Sequence, residues 1–235
     1  RARRPSRGDE GASPRGRASV HASPMSSTPR KVHPYAHAAQ LPEGDAQVRF
    51  DELMPGEGPI ELEIGPGRGV FIAERVVADP SVRVLAFEIR LKWAHLVDQR
   101  LKKAGLGARA RVLAGDVKRA LPRLGPDGAL RAAFMHFPDP WWKKRHEKRL
   151  VMGDELLTEL ARLLQQGGEL FIQTDVEERA AQYAAQVSEH PAFEPAGDAE
   201  GGYWLAENPY QARSPREKRA IADGLPIHRM RWRRR

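Results

Sequence analysis

Cysteine is absent from the 235 residues, which excludes a disulfide framework, a thiolate nucleophile and a Cys-ligated zinc site. Long apolar runs are absent too, and none approaches the ~18 residues of a membrane span. The N-terminal region carries no apolar stretch of the secretory type. The eight histidines are scattered, so no metal site is expected. A chain with neither membrane segment nor disulfides is expected in the cytoplasm. Internal repeats are missing, and nothing in the pattern selects between monomer and homodimer.

Acidic residues are scarce in three segments. Residues 1–42 hold eight Lys/Arg against two acids, residues 143–149 five against one, and residues 213–235 nine against two. The formal net charge is +8, so the rest of the chain is acidic; residues 150–212 alone hold twelve acids and two bases. Such segregation suits a protein that meets a polyanion at chosen places. The length allows one large α/β domain with a full hydrophobic core.

Residues 1–42 are rich in Arg, Ser, Pro, Ala and Gly and nearly free of large apolar side chains. Such a segment buries too little surface to offset its ordering entropy. It is expected to be a disordered basic extension, with the folded domain over 43–235. The chain begins at Arg1 rather than Met; Met25 is a candidate initiator, which would make residues 1–24 a sequence artefact.

From Pro59 onward strands and helices alternate. Apolar patterning predicts strands at 60–64, 82–88, 110–114, 130–136 and 168–174, with helices at 70–78, 91–104, 156–164 and 176–186. Two further candidate strands lie at 203–206 and 226–232. Alternation of this kind argues for a parallel sheet wound with helices on both faces. Ligands of such sheets bind where the carboxyl ends of the strands meet the loops. Glu63 with the glycine loop, Glu88, Asp116, Asp139 and Asp175 fall at successive strand ends.

Any one of these acids is as well explained by an exposed loop carboxylate. Their coincidence is the argument. Gly65, Gly67 and Gly69 let the backbone turn sharply and approach a ligand without Cβ obstruction. A dinucleotide fingerprint needs G-x-G-x-x-G, but Val70 follows Gly69, leaving G-x-G-x-G. With Glu63 before it, that loop suits S-adenosylmethionine (SAM). Glu63 could accept from the amino-acid ammonium, and Glu88 could take both ribose hydroxyls through its two oxygens. Asp116 would lie near the adenine amine.

Residues 137–150 read Phe-Pro-Asp-Pro-Trp-Trp-Lys-Lys-Arg-His-Glu-Lys-Arg-Leu. Pro138 and Pro140 fix their own φ angles, and Pro140 biases Asp139 towards an extended backbone. Trp141 or Trp142 could stack on a base, worth roughly 1–3 kcal/mol, and the cationic run could hold phosphates. From Glu61 to Trp232 the chain resembles the bacterial tRNA (guanine-N7-)-methyltransferase family. The resemblance rests on E-I-G-x-G-x-G, on F-P-D-P-W-x-K-x-R-H-x-K-R, which is long and specific, and on a strand ending in T-D.

That resemblance implies a Rossmann-like class I methyltransferase, with a mostly parallel seven-stranded sheet and helices on both faces. It implies SAM as cofactor and a guanine of the tRNA variable loop as target. Family roles would set SAM against Glu63, Gly65, Gly67, Gly69, Glu88, Asp116 and Asp139, with Asp139 also catalytic. Lys143, Asp175, Ser214 and Glu217 would contact the substrate, and Lys144, Arg145, His146, Lys148 and Arg149 the RNA. Three positions depart from the family pattern. Trp142 stands where Pro or His is usual, Leu150 where a second Arg is common, and Ser214 for Thr in T-x-x-E.

Residue chemistry leaves other readings beside these. Asp175 could orient substrate or cap the following helix, and Ser214 with Glu217 fits an N-terminal capping box. His146 also fits an ordinary surface histidine. For the whole chain, one alternative is a SAM-dependent exocyclic-amine methyltransferase, although its usual D/N-P-P-Y/F/W is not what this loop carries. The other is a non-catalytic RNA-binding protein on the same scaffold.

Overall fold

The structure is a computed structural model and describes residues 34–139 and 151–235. Trp141, Trp142 and the whole cationic run from Lys143 to Leu150, including the expected RNA contacts at Lys144, Arg145, His146, Lys148 and Arg149, lie outside the described residues.

Ile60, Leu62 and Ile64 alternate with Glu61 and Glu63, yet all five are buried. A strand covered on both faces belongs at the centre of a wound sheet. In chain order the elements are β1 (Val48–Arg49), α1 (Phe50–Leu53), β2 (Ile60–Ile64), α2 (Val70–Ala78), β3 (Arg83–Glu88) and α3 (Leu91–Lys103). There follow β4 (Ala110–Ala114), α4 (Val117–Ala120), β5 (Leu124–Gly125), β6 (Leu130–His136) and α5 (Asp154–Leu163). The chain ends with β7 (Leu164–Thr174), α6 (Glu177–Glu189), β8 (Phe193–Pro195), β9 (Trp204–Leu205), α7 (Pro215–Ala222) and β10 (His228–Arg234).

The main sheet has the order β4-β3-β2-β6-β7-β10-β8, and β9 pairs on the side with β10. Strands β4 to β7 of that order are parallel, while β10 runs antiparallel to β7, β8 and β9. The expected seven-stranded, mostly parallel sheet is therefore formed, with the two-residue β9 added to it. Strand order reverses between β2 and β6, which is the switch point where ligands of such folds bind.

One face packs α4, α5 and α6 on the sheet through Val117, Leu156, Leu157, Leu160, Tyr183 and Val187. The other packs α2 and α3 through Ile72, Val76, Ala94, Val97 and Leu101. Beside them an aromatic cluster of Phe71, Phe134, Phe171 and Tyr210 closes the same face. No helix among the described residues is long and apolar enough to cross a membrane.

The packed chain starts before residue 43. Ala38 is buried, the Ala39 carbonyl accepts from Ala114 N at 2.7 Å, and Pro42 O accepts from Arg123 at 2.7 Å. Strand β7 also begins four residues earlier than expected, and β10 extends two residues further. At the opposite end of the sheet from the switch point, buried Glu61 receives Arg75 at 2.8 and 2.9 Å and also Arg131. Asp79 ties the same two guanidiniums together at 3.2 and 3.1 Å. The Ser81 hydroxyl at 2.6 Å, with Arg131 and Arg75, holds the Asp79 carboxyl down at about 2.

Candidate active site

The loop after β2 turns because its glycines take left-handed backbone angles, with φ of +69° at Gly65, +53° at Gly67 and +70° at Gly69. The three do different work. A Cβ on Gly69 would stand 2.1 Å from Val97 Cγ1, so this glycine lets the loop sit against α3. A Cβ on Gly65 or Gly67 would meet nothing within 4 Å. Their faces are open towards a cavity of about 1200 Å³ at the switch point.

Glu88, at the end of β3, is buried on the cavity wall and braces that loop. Its Oε2 accepts from Gly67 N at 3.2 Å, and its Oε1 accepts from Arg90 N at 2.9 Å. Arg90 Nε also donates to Oε1 at 3.1 Å. A carboxylate has about four acceptor sites, so the capacity left for a ligand's hydroxyl is on Oε2. Asp116 follows β4 and caps α4, accepting from Lys118 N at 3.0 Å. It lines the same cavity.

Glu63 and His136 lie across the floor, on adjacent strands β2 and β6. Glu63 Oε1 stands 3.2 Å from His136 Nδ1, and both side chains are almost wholly buried. Glu63 Oε2 and His136 Nε2 have no hydrogen-bond partner although each is buried. Beyond His136 the chain leaves β6 through Phe137, whose φ is +47°. Left-handed angles in a bulky non-glycine residue are rare and strained. Here the Phe137 N–H is held by the Gln173 carbonyl at 2.7 Å. Asp139 comes next but one, exposed on the cavity rim.

The opposite wall is the start of α7. Ser214 caps it, its hydroxyl accepting from Glu217 N at 3.2 Å. Pro215, Arg216 and Arg219 face the cavity. Asp175, after β7, pairs with Arg216. It does not cap α6, whose N-cap is Val176; Thr174 Oγ1 accepts from Val176 N at 3.2 Å. Glu217 is fully buried behind this wall and is not among the cavity's lining residues. Its carboxylate accepts from Gln173 at 2.9 Å, Asn208 at 3.0 Å and Arg229 at 3.3 Å.

The cavity thus gathers Glu63, Gly65, Gly67, Glu88, Asp116, Asp139, Asp175 and Ser214. Gly69, expected at the cofactor, packs against Val97 instead and is not among the lining residues, and Glu217 stands one layer behind. Lys143 lies outside the described residues. Sequence reasoning passed over His136, Arg216 and Arg219. His136 shares a sheet face with Phe134 two residues before it, a period-two signal that was available. Arg216 and Arg219 sit in the first turns of a helix already signalled by its capping box.

Comparison with known proteins gives the chain a family. The family described as "Putative methyltransferase" matches residues 57–230. A tRNA (guanine-N(7)-)-methyltransferase of Myxococcus xanthus is 36% identical over 81% of this chain and 87% of its own. One of Nostoc sp. is 31% identical over 89% of this chain and 95% of its own. The crystal structure of TrmN from Thermus thermophilus shares the fold, with a TM-score of 0.54 at 18% identity over 79% of this chain and 47% of that one. With its strand-end acids, its glycine loop and relatives alike over most of their length, the chain belongs to the tRNA (guanine-N7-)-methyltransferase family.

Proposed function

We infer that this protein transfers the methyl group of SAM to N7 of a guanine in the variable loop of tRNA, giving 7-methylguanosine. The observation that carries this reading is the convergence of Glu63, Glu88, Asp116 and Asp139 on one cavity beside the open faces of Gly65 and Gly67. The residues present fit SAM. Glu63 Oε2 is a buried acceptor without a donor, suited to an ammonium. Glu88 suits a ribose hydroxyl and Asp116 the adenine amine. When bound, SAM supplies an electrophilic methyl group on a sulfonium centre.

Guanine N7 carries a lone pair and no proton, so no strong general base is needed. The residues' task is alignment, which can lower a barrier by roughly 7–11 kcal/mol at best. Asp139 accepts hydrogen bonds from guanine N1–H and the exocyclic amine, turning N7 towards the methyl group. Its charge offsets the positive charge that the ring acquires. Lys143, Asp175 and Ser214 hold the nucleoside, and Glu217 acts with them by fixing α7. Lys144, Arg145, His146, Lys148 and Arg149 grip phosphates, and the work takes place in the cytoplasm with its tRNA substrate.

The test incubates the purified protein with SAM and unmodified tRNA and analyses the nucleosides by mass spectrometry. 7-Methylguanosine is expected. A different methylated nucleoside overturns the choice of atom. No methylated nucleoside at all, in a protein that still binds RNA, overturns the reading as an enzyme.

A further inference from the structure

The guanidiniums that line the cavity are not equally free. Arg90 pairs with Glu88 at 3.1 Å, Arg216 pairs with Asp175, and Arg68 lies over the Trp93 ring at 4.8 Å. Arg219 lines the same cavity and is exposed. Among the described residues its side chain has neither a hydrogen bond nor an ion pair. Positions 216 and 219 stand three apart on α7 and so share one face of the helix. Asp175 neutralises the first, which leaves Arg219 as the uncompensated charge of the α7 wall.

That charge calls for an anion. A guanidinium presents its N–H donors in a fixed fork matched to two oxygens of a phosphate or a carboxylate. SAM carries no phosphate. Its carboxylate shares a carbon with the ammonium that suits Glu63, and Glu63 is buried at the floor whereas Arg219 is exposed on the wall. RNA supplies phosphates, and the orientation of the base brings them to this side. The N1–H and exocyclic amine assigned above to Asp139 lie on the six-membered ring of guanine. N9, which bears the ribose, lies on the five-membered ring. A guanosine held by Asp139 on the rim therefore sends its ribose and phosphates away from that rim, towards the opposite wall of α7.

We propose that Arg219 binds a backbone phosphate beside the target guanine. This rests on the tRNA reading above and adds to it a residue outside the expected site.

The test measures binding of unmodified tRNA by fluorescence anisotropy over a salt series. Arg219→Gln is expected to weaken binding about tenfold at low salt and to reduce the slope of log affinity against log salt by about one. Arg219→Lys keeps the charge and should hold the native slope. Lys218→Gln, on the same helix, removes an equal charge from a side chain that pairs with Glu74 and does not line the cavity; its slope should also be native. S-Adenosylhomocysteine should bind Arg219→Gln as it binds native protein. Replacing the phosphates that flank the target guanosine by neutral methylphosphonates should weaken native protein more than Arg219→Gln.

Native protein that binds no tRNA refutes the function proposed above, and this inference with it. The remaining outcomes bear on Arg219 alone. A native slope in Arg219→Gln, with only its urea midpoint changed, would mean a role confined to the helix and overturn the proposal. So would an equal loss of slope in Lys218→Gln, or a slope in Arg219→Lys as low as in Arg219→Gln. Weaker binding of S-adenosylhomocysteine to Arg219→Gln would give the arginine to the cofactor's carboxylate instead. Equal weakening of both proteins by the methylphosphonates would place its phosphate elsewhere on the RNA, which also overturns the proposal.

Discussion

Gly67 donates its backbone N–H to Glu88 Oε2 at 3.2 Å, across twenty-one residues of sequence. The glycine loop after β2 is therefore fastened to the end of β3 by the same carboxylate that faces the ligand cavity. Glu88→Ala removes the brace and the acceptor together. A hydrogen bond to a charged group contributes roughly 1.5–3 kcal/mol, so affinity for S-adenosylhomocysteine should fall about 10- to 100-fold. Calorimetry on the purified variant measures it, and native affinity would remove Glu88 from the site.

The three glycines should respond differently to alanine. Gly69→Ala combines a left-handed φ, costing about 1–2 kcal/mol, with a Cβ 2.1 Å from Val97 Cγ1. Overpacking adds roughly 1–3 kcal/mol. Urea denaturation should show a loss of about 2–5 kcal/mol at Gly69. At Gly65 and Gly67, where nothing lies within 4 Å, only the backbone cost applies. Those two variants should stay folded and instead lose ligand affinity. A Gly67→Ala protein that is less stable than Gly69→Ala would contradict this division.

Asp139→Asn separates alignment from binding. The side chain keeps its shape but loses its charge and one acceptor. Turnover on tRNA should drop about 10- to 100-fold, in line with roughly 1.5–3 kcal/mol for a charged hydrogen bond. The affinity for S-adenosylhomocysteine should remain near native. Full methylation activity in this variant would end the catalytic assignment.

The central strands were legible because each is a short apolar run bounded by Gly, Pro or acid, and β2, β4 and β6 have the limits their patterns predicted. Their carboxyl ends therefore fixed where Glu63, Glu88, Asp116 and Asp139 would meet. Strands β1, β5 and β8, of two or three residues, carry no period long enough to read. Residues 34–42 look unable to form a core because large apolar side chains are few, yet Ala38 is buried and the Ala39 carbonyl accepts from Ala114 N at the end of β4. Burial of Glu217 depends on Gln173, forty-four residues earlier, and local pattern holds no record of that contact. The same distance problem hid His136, whose partner Glu63 is seventy-three residues away.

Glu217 anchors the α7 wall, so its loss should appear first as instability. Glu217→Ala leaves Arg229, Gln173 and Asn208 facing a void, and breaking a buried charged pair costs about 3–5 kcal/mol. Ser214→Ala removes only the cap, a cost of about 1 kcal/mol. Urea midpoints should rank native, then Ser214→Ala, then Glu217→Ala. The reverse order would mean that Glu217 contributes through contact with substrate rather than through the fold.

Asp79 should give the fold a specific acid sensitivity. Its carboxyl is held at about 2 by the Ser81 hydroxyl and by Arg131 and Arg75, against an ordinary 3.8. A depressed folded value means that the unfolded chain takes up this proton first as pH falls. The stabilisation is complete above roughly pH 4 and is lost as pH drops towards 2. Asp79→Asn has no such proton to bind. The difference in unfolding free energy between native and Asp79→Asn should be constant from neutral pH down to about 4, then shrink steadily. A gap that stays constant through that acid window would show that the Asp79 charge does not support the Arg75–Arg131 cluster.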